Sequence, residues 1–212
     1  MARTYDNTAR SEAASATRRR ILAGARRLIV DGGYATFSIA ALAESAQVSP
    51  QTVYNSIGGK SAVLKAVYDV AVVGDDEPIP MSRRPEFLRL GAAESVDEWA
   101  DAYAHHTARL YERVGEIVGA VLGPGAPQDR GAGEFAATIE RERRVGSTHA
   151  VTALADRMGW PSADLPQIVD AVWTLNSPDV FSRLVRQSGW SPAEYERWLA
   201  GQLRATLHGS GR

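Results

Sequence analysis

Ser49, Gln51, Thr52, Asn55 and Ser56 are short polar side chains gathered around one segment, PQTVYNS, which opens directly after a serine. Presented from the first turns of a helix, such groups read base edges. Glutamine bonds adenine in a bidentate fashion, and threonine offers a hydroxyl to bases or phosphate and a methyl to thymine. The Tyr54 phenol can reach a phosphate, and Lys60 adds a charge beside the unpaired first-turn amides of a following helix. Chemistry of other kinds is absent from the pattern. There is no Gly-rich phosphate loop, no HExxH and no GxSxG, and the scattered Asp, Glu and His assemble into no catalytic set. His105 and His106 are neighbours, but adjacent helical residues point about 100° apart and do not chelate together. No metal, no cofactor and no catalytic residue is expected.

The elements that hold these side chains follow from periodicity. From Thr17, the residues Ile21, Leu22, Ala25, Leu28 and Ile29 share one helical face, with Arg19, Arg20, Arg26 and Arg27 around the other. Gly32-Gly33 stops this helix. Ser38 is placed to cap a short second helix, IAALAESA, and Ser49-Pro50 supplies a cap and a first-turn proline for the third. Gly58-Gly59 ends the third helix, and a fourth begins at Lys60 with Val63, Leu64, Val67 and Val70 inward. Two short helices joined by a tight turn form a helix-turn-helix pattern, in which the second helix enters the major groove.

The remainder is also helical. After an acidic, proline-bearing stretch at 74–87, a long amphipathic pattern runs through Val96, Trp99, Tyr103, His106, Leu110, Val114, Ile117 and Val121 to GPGAP at 123–127. A second long helix is expected over about 132–158, a third from Leu165 with a break at Ser177-Pro178, and a last one after Ser191-Pro192. No alternating β pattern and no internal repeat appear. The fold class read from the pattern is all-α, an N-terminal helix-turn-helix domain followed by a helical C-terminal domain.

Composition agrees with a chain that works on DNA in a reducing compartment. The 212 residues carry 24 basic and 25 acidic side chains, are 44% hydrophobic and include no cysteine. Absent thiols exclude disulfides, thiolate metal sites and a cysteine nucleophile. No apolar run approaches the ~20 residues of a membrane span, and the polar N-terminus lacks the apolar core of a signal peptide. A cytoplasmic protein with no membrane partner is expected. Up to residue 70 there are nine basic against five acidic residues, and beyond it fifteen against twenty. A basic head on an acidic body suits a chain whose N-terminal part approaches a polyanion, although a solvated basic helix face gives the same pattern.

The segment SIAALAESAQVSPQTVYNSIGGKSAVLKAV resembles the DNA-binding signature of the TetR family of bacterial transcriptional regulators. The resemblance rests on Ser38, Ala43, Val48-Ser49, Thr52, Tyr54, Lys60 and Leu64. It covers about 16–70, with the Arg-rich helix and its Gly-Gly-Tyr ending included. Two departures stand out: Gln47 occupies a turn position where such regulators commonly carry glycine, and Ser56-Ile57 replaces His-Phe. The resemblance implies phosphate contacts from Ser38, Tyr54 and Lys60, and base or nearby phosphate contacts from Gln51 and Thr52. Asn55 lies on the same reading face and Ser49 caps it. Arg3 and Arg10, in an arm without apolar periodicity, are placed either to enter a minor groove or to remain solvated.

The resemblance further implies three parts: a flexible arm at 1–15, a helix-turn-helix domain at 16–62, and a ligand-binding and dimerisation domain at 63–212. The tail NSPDVFSRLVRQSGWSPAEYERWLAGQL looks like the C-terminal helices of many such regulators. Trp173, Phe181, Leu184, Trp198 and Leu203 are then candidates for the seam of a homodimer, or else they close the monomer's own core. A cavity among the middle helices would draw on Trp99, Tyr103, His106, Tyr111, Phe135, Ile139 and His149, mostly apolar with a few polar groups. The function implied is a homodimeric repressor, released from a palindromic double-stranded DNA operator by a small-molecule effector. A transcriptional activator, and a helical interaction protein with a vestigial reading head, are the alternatives.

Overall fold

The structure is a computed structural model that describes residues 2–74, 79, 83–123 and 129–210, with side chains from residue 9 to residue 209. Among these residues there is no strand. The helices are α1 (Ala2–Gly32), α2 (Ile39–Ser45), α3 (Pro50–Ser56), α4 (Lys60–Val73), α5 (Pro85–Ala92), α6 (Val96–Leu122), α7 (Arg130–Met158), α8 (Leu165–Leu175), α9 (Pro178–Phe181) and α10 (Pro192–Ser210). Much of 74–87 and of the GPGAP stretch lies outside the described residues. The short α5, which periodicity did not single out, follows the first of these, with proline in its first turn and Leu90 buried.

The chain divides into two compact units, residues 1–76 with 116–136 and residues 77–115 with 137–212. In the first, α1 packs on α2, α3 and α4. Ile21, Leu22, Ala25 and Ile29 meet Leu42, Ala43, Val53, Val63, Leu64 and Val67 in a core that excludes solvent almost completely. The boundary expected after residue 62 cuts through α4, whereas packing against α1 keeps the whole of that helix in this unit. Phe135 and Tyr68 meet edge to face here, their centroids 5.4 Å apart.

The expected arm is helical in backbone, because α1 starts at Ala2. Residues 9–16 are exposed throughout. Half of this stretch is alanine, the residue that best holds a helix by backbone propensity without a buried face, so apolar periodicity carries no sign of it.

The second unit is built on a stripe of α6. Trp99, Tyr103, Thr107, Tyr111 and Val114 recur on one buried face of α6, and Ile139, Ser147, Val151 and Leu154 are buried positions of α7. Ile168, Val169 and Val172 of α8 and Tyr195, Leu199, Leu203 and Leu207 of α10 complete its core. A polar thread runs through it. The Tyr111 hydroxyl donates to Asn176 Oδ1 at 2.9 Å, Asn176 Nδ2 donates to the Tyr103 hydroxyl at 2.9 Å, and that oxygen lies 3.2 Å from Ser147 Oγ. Arg143 donates to the Trp173 carbonyl at 2.8 Å and to that of Asn176, placing positive charge on the carbonyl end of α8. Its other arm pairs with Glu140 at 2.7 Å. Burial pushes the phenols of Tyr103, Tyr111 and Tyr195 up, which keeps all three neutral.

Candidate nucleic-acid interface

The reading helix is short, and its neighbours fix it. Ser49 holds extended backbone and accepts the Thr52 amide at 3.0 Å, closing the first turn of α3, with Pro50 in the position that needs no amide hydrogen. The Ser49 and Thr52 hydroxyls also meet at 2.8 Å. Val53 is fully buried and points α3 into the head, so that Gln51, Tyr54 and Asn55 face outward. Gln51 Nε2 donates to Asn55 Oδ1 at 2.8 Å, tying the two amides together one turn apart. Tyr54 is 53% exposed, a large aromatic on open surface.

Two arginines of α1 close the back of this platform. Arg18 donates to the Ser56 carbonyl at 3.0 Å, and Arg20 donates to the Ala46 carbonyl at 3.1 Å. Each thereby neutralises the negative end of a short helix. Sequence reading placed the basic face of α1 toward solvent or a polyanion; only the packed head shows that part of it is structural. Ser38, expected at a phosphate, first of all caps α2, accepting the Ala41 amide at 3.2 Å. The Arg3 side chain lies outside the described residues, and Arg10 is exposed on α1.

At the far edge, Gly59 starts α4 without a side-chain cap. Lys60 follows, with its ammonium 4.2 Å from the centroid of the Tyr34 ring. The Tyr54 ring stands beside the same turn, since a Cβ on Gly59 would lie 3.7 Å from its Cε1. Gln47 has φ of +53°, in the left-handed region. This explains the glycine usual at that position in the similar regulators and shows that Gln47 keeps the turn at an energetic cost rather than changing its course.

Residues 21–67, which span α1 to α4, match the family of bacterial regulatory proteins named tetR. The match covers 47 of the chain's 212 residues, the segment that holds its helix-turn-helix. Solved structures share its fold over most of their length. One is a Pseudomonas aeruginosa PAO1 protein assigned as a transcriptional regulator, with TM-score 0.63, 17% identity, and 92% of this chain and 93% of that one covered. Another is MexZ of Pseudomonas aeruginosa, described as a key repressor responsible for antibiotic resistance, with TM-score 0.57, 18% identity and coverages of 92% and 95%. A Clostridium perfringens protein assigned as a fatty acid metabolism regulator aligns with TM-score 0.58, 12% identity and coverages of 88% and 97%. No curated protein matches the chain in sequence. No described helix of the chain is long and apolar enough to cross a membrane. No group of three or more His, Asp or Glu is placed to hold a metal ion among the described residues.

The residues expected in the body fare unevenly. Trp99, Tyr103, Tyr111 and Ile139 are buried in the second unit, and Trp99 stacks on Tyr103 at 4.7 Å. His106 is largely buried in the same unit, 3.2 Å from Glu86 and edge-on to Phe87. Burial lowers its pKa, against an opposing pull from the Glu86 carboxylate. Phe135 lies in the first unit, edge-on to Tyr68. His149 is exposed, and the inward position of that turn is taken by Ser147, so His149 lines no interior wall. Sequence reading missed Arg143 and Asn176. An arginine in a charged run and an asparagine beside Ser-Pro look like solvent and loop until the fold buries them.

The expected dimer seam divides in a similar way. Phe181 and Leu203 lie in the core of their own chain, Phe181 between Tyr111 at 5.4 Å and Tyr195 at 4.9 Å. Trp173, Leu184 and Trp198 are half-buried, and the Arg143 and Arg144 guanidinium groups stand 5.7 and 5.2 Å from the Trp173 ring.

Proposed function

We propose that this tetR-family regulator is a homodimeric repressor that leaves a palindromic operator when a small molecule enters its helical body. The carrying observation is the face of α3, where Gln51, Tyr54 and Asn55 stand outward around the buried Val53 while Ser49 closes the turn. Gln51, Asn55 and Thr52 meet base edges, and Ser38, Tyr54 and Lys60 take phosphates on either side. One such head reads only a few base pairs, so a two-fold dimer is needed for affinity and for a palindrome. Trp173, Leu184 and Trp198 of the half-buried helical surface supply its seam.

An effector site in the second unit draws support from its interior chemistry. Trp99 Nε1, Thr107 Oγ1 and the Tyr195 hydroxyl are buried without a hydrogen-bond partner among the described residues. Aromatic walls with a few polar groups are the usual composition of a small-molecule site. A molecule that binds only the form with displaced heads lowers occupancy by its differential affinity for the two forms.

Selection of fragments from random and genomic duplexes by the purified chain tests this directly, with Gln51→Ala/Asn55→Ala as control. The expected result is one enriched palindrome that the control fails to enrich, bound by a species of twice the monomer mass in light scattering. Equal recovery of all sequences, or enrichment that the control retains, overturns the proposal.

A further inference from the structure

Lys60 does not extend freely from the start of α4. Its ammonium stands 4.2 Å from the Tyr34 centroid and 6.0 Å from that of Phe37, and these two rings stack at 6.5 Å with 22° between their planes. Both rings are almost wholly buried, Tyr34 at 1% exposure and Phe37 at 3%. They come from the loop between α1 and α2, a different part of the chain from the charge they hold. The far end of Tyr34 is fixed as well. A Cβ on Gly131 would stand only 2.9 Å from its hydroxyl, so the ring has no room to swing toward α7. A lysine otherwise spends rotamer freedom when it settles on an anion, and a seat that already holds it reduces that loss.

We propose that Tyr34, backed by Phe37, is a positioning residue that holds the Lys60 ammonium beside the uncapped first turn of α4, so that one DNA phosphate meets the charge and the helix amides together. The inference rests on the assignment of Lys60 to a phosphate under the proposed function. The face of a ring attracts the cation while leaving ammonium hydrogens on its other side for a phosphate oxygen. The contact carries no sequence information. It sets where the backbone of the duplex lies relative to α3, and so the register at which Gln51 and Asn55 meet the bases.

The test uses the full-length protein and a labelled duplex carrying the selected palindrome, with affinity measured across a salt series. Lys60→Ala is expected to lower the slope of log affinity against log salt by about 1, the loss of one phosphate neutralised. Tyr34→Phe is expected to retain the wild-type slope and affinity. Phenylalanines of increasing ring fluorination at position 34 withdraw charge from the ring face at nearly constant shape. They are expected to weaken binding stepwise, by about two- to fivefold in total, and to have no effect in the Lys60→Ala background. A purely structural role for the ring predicts the same loss with or without Lys60, and thermal melts exclude variants that fail to fold. An unchanged slope in Lys60→Ala overturns the phosphate assignment and the inference with it. A lowered slope together with a flat or rising affinity across the fluorinated series overturns the inference alone.

Discussion

Replacing Gln47 by glycine isolates a backbone cost inside the reading head. Gln47 is exposed, and its backbone stands at φ +53° in the turn between α2 and α3. Its amide donates to the Glu44 carbonyl at 3.1 Å, a bond that glycine keeps. A residue with a Cβ pays about 1–2 kcal/mol in the left-handed region. Glycine removes that cost but widens the unfolded ensemble by about 0.4–1 kcal/mol. The balance favours Gln47→Gly by roughly 0.5–1 kcal/mol, or about 1–4 °C in Tm for a chain of this size. Urea unfolding followed by circular dichroism should show a raised midpoint at unchanged slope. Gln47→Ala is the control, since it removes the side chain and leaves the φ cost in place. If alanine stabilises as much as glycine, or glycine not at all, the cost does not lie in the backbone and the reasoning fails.

Other perturbations probe separate parts of the molecule. Asn176→Leu removes the side-chain partner of the Tyr103 and Tyr111 hydroxyls, which keep Ser147 Oγ and the residue-176 carbonyl, and should cost about 1–3 kcal/mol, read as a lower unfolding midpoint, with Asn176→Asp recovering part of it. Gly58→Ala meets both a φ of +124° and a Cβ contact of 2.9 Å with Ala62; it should destabilise the head by about 2 kcal/mol or more and abolish duplex binding in an anisotropy titration. The lowered pKa of His106 comes first from burial, with Glu86 opposing and Arg113 and His105 reinforcing it. The folded state therefore prefers the neutral imidazole. Stability should fall as pH drops through the unfolded value of about 6.5 and level off once the folded value is passed; denaturation midpoints against pH should flatten over that window in His106→Gln.

Much of the head was legible because its signals are local. Serine caps at 38 and 49, the proline at 50 and glycine stops at 33 and 58 act within one or two turns, and each stands at the end of the element it bounds. The outward residues of α3 were legible for the same reason, since a seven-residue helix with Val53 buried leaves little choice about what faces out. The body was less readable. A stripe such as Trp99, Tyr103, Thr107 and Tyr111 says that a helix has an inner face and is silent about what meets it. Phe181 and Leu203 have the spacing of a seam and lie in a core, while Phe135 and His149 have the spacing of a cavity wall and belong to another unit and to the surface.

The all-helical class, the boundaries of α2 and α3 and the tetR-like signature are written in local sequence, because helix periodicity, capping and turn conformation depend on residues a few positions apart. Which charges are spoken for emerges from packing. Arg18 and Arg20 serve helix ends of the head, Arg143 serves the end of α8 beside the buried Asn176, and Lys60 rests on rings some twenty-five residues earlier in the chain. A charge's role depends on the low-dielectric surroundings and partners that packing brings to it, and those partners are far away in sequence.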